Sequence, residues 1–471
     1  MHETNRPVAE KLAIEGGPKA FAKMAGRKRP KIGTEEFLSI AERFGFTPAA
    51  LQRIRQAISD DDLGRGPTLS RFLTAHPPAS KGDAFERLAQ ATFGVRHALA
   101  VSSGTAALHS ALVAVGVGPG TEVIVPAVGF FATAAAVVAA RGVPVFCDID
   151  QSLCIDPGKI EPLINSRTVA LVPTCVMGMP PDMDPILDIT RRHNLKVVED
   201  CAQAPGARYK GRYVGTLGDI GGFSISSYKI VGGGEGGLAL TNDQRLYERM
   251  TQVAECGGLM RPDRFAPPRY PGELFCGTNY RMSELEAAVN VVQLGKMPAL
   301  LERYNANKRK ILGQLQTYRE IVPQKSNDPM GEAGYMIRFY PQTVALGRRI
   351  AAALNAEGIG IGEFIWPAEC SIRGPEPDPD WHLYQHMFPL LQQSDSAPSG
   401  CPLACPIYRD QGGCASYQQG ACPVADDLFD RNIQIWLDPD YNDQDCDHVA
   451  AGINKVLRAF CHADPSAANW L

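Results

Sequence analysis

The sequence predicts an α/β protein with a mainly parallel sheet that is covered by helices on both faces. From His97 to Thr241, short apolar runs alternate with helical segments at a spacing typical of strand–helix–strand units. Several predicted strands end on polar or glycine-rich segments, and ligands in such sheets bind at the carboxyl ends of the strands. The sequence therefore predicts a binding site at that edge of the sheet.

The composition is that of a globular protein with a large core. The chain has 471 residues, of which 45% are hydrophobic and 21% charged, and its net charge is -4. This length favours two or three domains, and the charge does not indicate a nucleic-acid partner. The longest apolar run, 129–140, is too short to span a bilayer, and the N-terminal residues have no apolar core suited to a signal peptide. We therefore expect a cytoplasmic protein with no membrane or nucleic-acid partner.

Ahead of the alternating region, residues 1–34 predict a loosely packed arm. A basic run at 27–31 is compatible with nucleic-acid binding, but it lacks interleaved aromatic residues, and a solvated arm explains it better. Residues 34–58 predict two helices broken near Pro48, and residues 81–93 predict an amphipathic helix.

The alternating region contains seven predicted strands. These strands are 97–102, 122–126, 144–148, 168–175, 195–200, 223–227 and 237–241. The predicted helices between them are 102–115, 131–141 and 185–193. The run at 168–175 is apolar almost throughout, which indicates a strand that is buried on both faces.

Beyond residue 243 the pattern becomes helical and then predicts a smaller α+β domain. One helix is expected to end near Leu301 and a second to link the domains. The further predicted elements are the linking helix 301–315, strands near 334–340 and 434–437, and helices 348–357 and 446–460. We therefore divide the chain into an arm (1–34), a large domain (35–300) and a small domain (301–471). Residues 367–425 form an insertion, rich in cysteine and proline, that is too long for an ordinary loop.

The thirteen cysteines include a group of four in this insertion. Cys401, Cys405, Cys414 and Cys422 could hold zinc or an iron–sulfur cluster, but their spacing includes no C-x2-C pair. Free thiols in a loop are the favoured interpretation, and we predict no metal. The remaining cysteines are expected to be free thiols, most of them buried in apolar surroundings.

The stretch 218–237 combines eight glycines, a short β-type run and one lysine, Lys229. Glycines allow the backbone to approach a ligand closely. A lysine between a strand end and a glycine loop suits a Schiff base with a carbonyl cofactor. On this stretch alone, a glycine-rich hairpin with a solvated lysine explains the pattern equally well.

Neighbouring strand ends supply the other parts of a pyridoxal 5'-phosphate site. Lys229 would form the internal aldimine and later act as the base that moves a proton at the substrate carbon. Asp200 would pair with the pyridine nitrogen, although a helix N-cap is its ordinary role. Gln203 could reach the phenolic oxygen or the ring face. Phe130 could stack on the ring, although it could equally be a core residue.

The helix predicted from residue 102 begins on Ser-Ser-Gly-Thr and offers a seat for the phosphate. Free backbone N–H groups and the helix dipole attract an anion there. Gly104 and Thr105 would hold the phosphate, together with Ser224 from the lysine-bearing strand. A plain N-cap by Ser102 or Ser103 is the simpler alternative.

Four motifs in order resemble the DegT/DnrJ/EryC1/StrS family of pyridoxal-phosphate sugar aminotransferases. These motifs are 197–203 (VVEDCAQ), 223–229 (FSISSYK), 234–237 (GEGG) and 279–288 (NYRMSELEAA). The resemblance implies fold type I, with a seven-stranded sheet in the large domain and a smaller C-terminal α+β domain. It also implies a homodimer with shared active sites, in which Asn279 reaches the phosphate of the neighbouring subunit. Its usual amino donor is glutamate or glutamine, and by charge Arg281 and Arg338 are candidates for binding the donor carboxylate.

We therefore expect an aminotransferase that acts on a keto sugar, a ketocyclitol or a keto sugar acid. Departures from the family pattern at Cys175, Met177 and 226–228, together with the insertion, favour an acceptor without a nucleotide. A sugar dehydratase is an alternative, but that branch of the family carries histidine at the position of Lys229. A non-catalytic cofactor-binding regulator is a second alternative, although no added DNA-binding segment is evident.

Overall fold

The computed structural model describes most of the chain as two compact units, 1–69 and 70–471. The described residues are 8, 11–21, 32–63, 69–70, 80–258, 261, 263, 265–360, 381–394 and 400–471. The basic run at 27–31 lies outside these residues. The predicted division at residues 34 and 300 stays a prediction.

The first unit contains the two helices predicted for 34–58. They are α1 (Thr34–Glu42) and α2 (Pro48–Ala57). Thr47 caps α2 by accepting a hydrogen bond from the N–H of Ala50 at 3.3 Å, and Pro48 occupies the first helical position, where its missing N–H costs nothing.

The second unit is built on the predicted mainly parallel sheet of seven strands. The strands of residues 97–241 are β1 (His97–Val101), β2 (Glu122–Pro126), β3 (Val143–Cys147), β4 (Thr168–Leu171), β5 (Lys196–Asp200), β6 (Arg208–Tyr209), β7 (Arg212–Tyr213), β8 (Ile220–Ser224) and β9 (Gly237–Thr241). The order in the large sheet is β1-β9-β8-β5-β4-β2-β3, and β9 is antiparallel to both of its neighbours. The short hairpin of β6 and β7 was not predicted.

Helices cover both faces of this sheet, as the apolar strands require. They are α3 (Lys81–Phe93), α4 (Gly104–Ala114), α5 (Ala132–Ala139), α6 (Met183–Arg192), α7 (Gln244–Ala254) and α8 (Glu284–Leu312). Helix α4 packs against α5 and α7 over one apolar cluster, and α3 packs against α8 over another.

Helix α8 is continuous where the sequence predicted two helices meeting near Leu301. It runs through Pro298, and its buried positions Leu294, Met297 and Ile311 lie on both sides of the proline. A proline removes one backbone hydrogen bond from a helix interior. Continued burial of apolar side chains offsets that loss, so the prediction of a break at this point was wrong.

The C-terminal part contains a small antiparallel sheet covered by helices. Its strands are β10 (Ile321–Pro323), β11 (Met336–Pro341) and β12 (Ile433–Trp436), in the order β10-β11-β12. Its helices are α9 (Val344–Ala356), α10 (Phe388–Leu391), α11 (Pro406–Asp410), α12 (Pro423–Asp430) and α13 (Asp443–Phe460). Helices α9 and α13 pack on this sheet around Phe339 and Ile453. Across the described ranges, every helix is too short or too polar to cross a membrane.

The predicted insertion contributes α10, α11 and the start of α12. Tyr408 donates a hydrogen bond to Glu122 at 2.9 Å, and Asp148 accepts bonds from the first backbone N–H groups of α12. The insertion is therefore fastened to the edge of the large sheet. Cys405 is buried whereas Cys414 is exposed. Among the described residues, no three histidine, cysteine or acidic side chains are grouped as a metal ion would need.

Candidate active site

A cavity of about 200 Å³ opens at the carboxyl ends of the parallel strands. Seven of the ten predicted site residues line it. They are Gly104, Thr105, Phe130, Asp200, Gln203, Ser224 and Lys229. These residues follow or precede different elements, so the sheet brings together side chains that are far apart in the sequence.

Lys229 enters this cavity from the loop that follows β8. Its backbone N–H donates to the carbonyl of Ser226 at 2.9 Å, and its Nζ lies 4.9 Å from the centre of the Tyr228 ring. Burial lowers the pKa of the Lys229 ammonium, and the carboxylate of Asp200 acts in the opposite direction. The net effect is a lowered pKa, so the neutral amine is more populated on Lys229 than on an exposed lysine. The neutral amine is the form that acts as a nucleophile.

Asp200 ends β5 and is almost completely buried. Its Oδ2 accepts a hydrogen bond from the hydroxyl of Thr133 at 2.5 Å, and its Oδ1 accepts one from the N–H of Ala202 at 3.1 Å. Burial raises the pKa of the Asp200 carboxyl, whereas these two bonds and the charge of Lys229 lower it. The bond to Ala202 closes a local turn, as an ordinary N-cap does. The other carboxylate oxygen is held by Thr133, which belongs to α5.

Gln203 is held by bonds at both its side chain and its backbone. Its Oε1 accepts from the N–H of Met177 at 2.9 Å, and its carbonyl accepts from the hydroxyl of Tyr335 at 2.8 Å. The bond to Met177 fixes the orientation of the amide, so the nitrogen is the end that is available as a donor. A donor at this wall of the cavity suits an anionic oxygen.

The turn before α4 and the end of β8 approach each other so closely that only glycine fits. A Cβ on Gly104 would lie 2.7 Å from Cβ of Ser224. Ser103 caps α4, because its hydroxyl accepts a hydrogen bond from the N–H of Ala106 at 3.0 Å. The simpler alternative, a plain N-cap, is therefore confirmed for Ser103. The helix N-terminus still faces the cavity, and with Ser224 it forms a seat for an anion.

Phe130 stands at the mouth of the cavity with 48% of its surface exposed, so it is not a core residue. Its ring centre lies 5.3 Å from that of His382 in the insertion. Three backbone hydrogen bonds join the segment 127–131 to residues 381–384. They run from Gly129 N–H to His382 O at 2.8 Å, from Phe131 N–H to Trp381 O at 3.0 Å, and from Tyr384 N–H to Ala127 O at 2.9 Å. The insertion therefore supports the loop that carries Phe130.

Three predicted residues lie outside the cavity. Asn279 pairs with Glu255 through an isolated antiparallel β-bridge, and Arg281 forms an ion pair with the same glutamate at 2.8 Å. Arg338 is buried within β11, donates to Gln434 at 3.0 Å and lines a separate cavity of about 370 Å³. Their roles toward a cofactor or donor stay predictions.

The cavity also contains polar residues to which the sequence analysis assigned no role in binding the cofactor. They include Thr174, Ser226, Tyr228 and Glu235, and Thr133 stands behind Asp200. Ser226, Tyr228 and Glu235 belong to the glycine-rich stretch, so their position was a usable signal. Thr133 and Thr174 lie in apolar stretches of the sequence. No local pattern there distinguishes them from threonines that cap a helix or fill a core.

These residues fit pyridoxal 5'-phosphate. The cofactor carries an aldehyde for the lysine amine, a ring nitrogen for the carboxylate, a phenolic oxygen for an amide donor and a phosphate for a helix N-terminus. The close approach at Gly104 brings the first backbone N–H groups of α4 beside Ser224, so that both can face one anion. The buried hydroxyl of Thr174 has no hydrogen-bond partner among the described residues, so it gives the cavity one more polar atom to satisfy.

The fold and the site define a pyridoxal-phosphate-dependent enzyme of fold type I. The model of the DegT/DnrJ/EryC1/StrS aminotransferase family matches residues 77–371. The chain therefore belongs to this family of aminotransferases, as its motifs predicted.

Curated relatives support the same assignment. The chain is 41% identical over 268 residues to GDP-perosamine synthase of Caulobacter vibrioides, covering 57% of this chain and 69% of that protein. It is 36% identical over 285 residues to L-glutamine:2-deoxy-scyllo-inosose aminotransferase of Streptoalloteichus tenebrarius, covering 58% of this chain and 66% of the relative. The chain thus spans about two thirds of the length of each.

A solved structure shows the same fold over most of both chains. The aminotransferase from Psychrobacter cryohalolentis is 26% identical, with a TM-score of 0.63, and the match covers 81% of this chain and 92% of that one.

Proposed function

We propose that this chain transfers an amino group from glutamate or glutamine to the keto carbon of a sugar, a ketocyclitol or a keto sugar acid. The observation that carries the proposal is the burial of the Lys229 amine and the Asp200 carboxylate in one cavity beside a helix N-terminus. The two relatives, one named for perosamine and one for an inosose, support sugars and ketocyclitols as acceptors.

Pyridoxal phosphate, when bound, supplies a carbonyl for amines and a cationic ring that accepts the electrons released as a C–H bond beside nitrogen breaks. In this proposal the Lys229 amine would condense with that carbonyl with loss of water, and Asp200 would hold the proton on the ring nitrogen. Gln203 would donate to the phenolic oxygen, and Phe130 would cover one ring face. The phosphate would be held by Gly104, Thr105 and Ser224.

Lys229 would also serve as the base once a substrate amine has displaced it from the carbonyl carbon. Its amine would take the proton from the substrate carbon beside the nitrogen and give it to the carbon on the other side of that nitrogen. Burial favours the neutral amine that this step needs, and the nearby Asp200 carboxylate keeps the amine able to hold a proton between the two transfers.

We further propose a homodimer with shared active sites. Asn279 and Arg281 lie outside the cavity of their own chain, which supports a role toward the cavity of a partner. Asn279 would contact the partner's bound phosphate, and Arg281 or Arg338 the donor carboxylate. Mixing Lys229→Ala and Asn279→Ala proteins tests this directly. Shared sites predict partial recovery of turnover, whereas each variant alone is inactive or impaired.

The acceptor is the least constrained part of the proposal. The insertion packs beside Phe130 at the cavity mouth and is the element best placed to distinguish acceptors. The expectation of an acceptor without a nucleotide, a class that includes the keto sugar acids, rests on the sequence departures at Cys175, Met177 and 226–228 together with the insertion. A panel of nucleotide-linked keto sugars, ketocyclitols and keto sugar acids, offered to the glutamate-loaded enzyme, separates these classes.

The visible spectrum tests the reaction type. Adding L-glutamate or L-glutamine to the purified holoenzyme should bleach the visible band of the cofactor, and a keto acceptor should restore it. Lys229→Ala should lose the band and turnover, whereas Lys159→Ala, which changes an exposed lysine away from the cavity, should retain both. A band that neither donor bleaches would contradict transfer from these donors and would point instead to a non-catalytic regulator.

A further inference from the structure

Thr174 presents a buried hydroxyl without a hydrogen-bond partner to the active-site cavity. The residue is 1% exposed, its Oγ1 bonds to no atom of the described chain, and it lines the same cavity as Lys229 and Asp200. Most buried hydroxyls in folded proteins have a partner, because leaving one unpaired costs free energy. An unpaired hydroxyl in a ligand cavity therefore indicates that the ligand supplies the partner.

The sheet order places Thr174 on a defined side of the site. It follows β4 and pairs with Asp200, which ends β5. The order β1-β9-β8-β5-β4 puts the phosphate seat, formed by the turn after β1 and by Ser224 of β8, on the opposite side of Asp200. Thr174 and the phosphate seat therefore flank Asp200 from two sides.

The chemistry of the cofactor ring identifies the atom that faces Thr174. The phosphate arm and the phenolic oxygen lie on the two sides of the ring carbon that bears the aldehyde, and the ring nitrogen lies opposite that carbon. With the nitrogen at Asp200 and the phosphate toward β8, the edge toward β4 carries the phenolic oxygen and a methyl group. The phenolic oxygen is the hydrogen-bond acceptor of that edge.

We propose that the hydroxyl of Thr174 donates a hydrogen bond to the phenolic oxygen of bound pyridoxal phosphate, as a second donor beside Gln203. The amide oxygen of Gln203 is already occupied by the N–H of Met177, so its nitrogen and the Thr174 hydroxyl converge on one anionic oxygen. This inference rests on the proposed function, since it assumes that the cofactor is bonded to Lys229 and paired with Asp200.

Two donors on the phenolic oxygen have a measurable consequence. The phenolate shares the proton of the nitrogen that links the cofactor to Lys229. Donors from the protein stabilise the bare phenolate after that proton has left, so they lower the pH at which it leaves. Removing one donor should raise that pH by about one unit, a tenfold change in the protonation equilibrium that corresponds to about 1.36 kcal/mol.

The experiment is a pH titration of the visible absorption band in three variants. Thr174→Val removes the hydroxyl at nearly constant size, and Thr174→Ser keeps it. Ser110→Ala removes another buried hydroxyl that has no partner but does not line the cavity, and so measures the effect of such a deletion on the protein alone. Cofactor dissociation constants are measured on the same proteins.

We expect Thr174→Val to raise the titration midpoint by about one unit and to weaken cofactor binding about tenfold, because each corresponds to the loss of one such bond. Thr174→Ser and Ser110→Ala should match the unmodified protein. An unchanged midpoint in Thr174→Val, with a normal band, would overturn this inference and leave the proposed function intact. Absence of a Lys229-dependent band in the unmodified protein would overturn both.

Discussion

Thr133 donates a hydrogen bond to Asp200 at 2.5 Å, and the two residues come from a covering helix and a strand of the large sheet. Asp200 ends β5, whereas Thr133 lies in the first turn of α5. The pairing fixes the carboxylate that we assign to the ring nitrogen of the cofactor. Helix α5, to which we assign no direct contact with the cofactor, therefore fixes the orientation of the Asp200 carboxylate.

The first prediction concerns this bond. Thr133→Val keeps the shape of the side chain but removes the donor, and a hydrogen bond to a charged group is worth roughly 1.5–3 kcal/mol. The pKa of Asp200 should rise further, because the bond is one of the effects that lower it. We expect pyridoxal phosphate to bind at least about tenfold more weakly, measured by titrating the cofactor-free protein. Thr133→Ser is the control, and equal affinity in all three proteins would contradict the assignment.

The second prediction concerns the pH dependence of cofactor capture. A protonated Lys229 cannot attack a carbonyl, so the rate at which the visible band appears should rise with pH through the pKa of Lys229. Burial lowers that pKa from the ordinary value of 10.5, so the plateau should lie below it. Asp200→Asn removes a charge that raises the pKa and should move the plateau to lower pH. Stopped-flow absorbance across a pH series measures both, and a shift to higher pH would show that the two groups do not interact as described.

The third prediction concerns the close approach at Gly104. Gly104→Ala places a methyl group 2.7 Å from Cβ of Ser224, so the two sides of the phosphate seat must separate. We expect cofactor affinity to fall by about tenfold or more, the cost of roughly 1.4 kcal/mol of lost binding. Gly118→Ala is the matched control, because no atom lies within 4 Å of its added Cβ. Similar affinity in the two variants would remove Gly104 from the phosphate seat.

The fourth prediction concerns the insertion. Leu383 is completely buried and lies in the segment that bonds to the Phe130 loop. Leu383→Ala should lower the free energy of unfolding by roughly 2–5 kcal/mol, the usual effect of emptying such a position. Ile407, half exposed in α11, serves as the control for loss of an aliphatic side chain.

Urea denaturation followed by circular dichroism measures that loss of stability. Cofactor fluorescence reports whether the environment of the ring changes at low urea concentration. If the insertion supports the Phe130 loop, Leu383→Ala should alter this fluorescence before global unfolding, and Ile407→Ala should not. Unchanged fluorescence up to the unfolding transition would separate the insertion from the site.

Residues that follow strands were predictable, whereas residues that act across elements were not. Lys229, Asp200 and Ser224 each end or follow an apolar run, and the rule for parallel sheets is enough to predict that they lie together. Thr133 and Thr174 belong to the site because they lie beside Asp200 in space. In sequence they resemble residues that cap helices or fill strands, so no local pattern separates them from such residues.

The same distinction holds for the fold. Alternating apolar runs predicted all seven strands of the large sheet, although the strand before Lys229 lies three residues earlier than expected, at 220–224 rather than 223–227. The pairing of 127–131 with 381–384 could not be predicted, because it consists of backbone hydrogen bonds that impose no side-chain pattern. Arg338 was chosen by charge alone, and it lies within a strand where a buried partner, Gln434, fixes it.

Strand β9 joins the two strands whose ends form the phosphate seat. It lies between β1 and β8, so the turns at Ser103 and Ser224 become neighbours only once β9 has filled the gap. Contacts between distant parts of a chain form late, because long loops must close first. We therefore expect the phosphate seat to form with the last strand of the sheet. Because a ligand that binds only the folded chain stabilises it, bound pyridoxal phosphate should raise the free energy of unfolding.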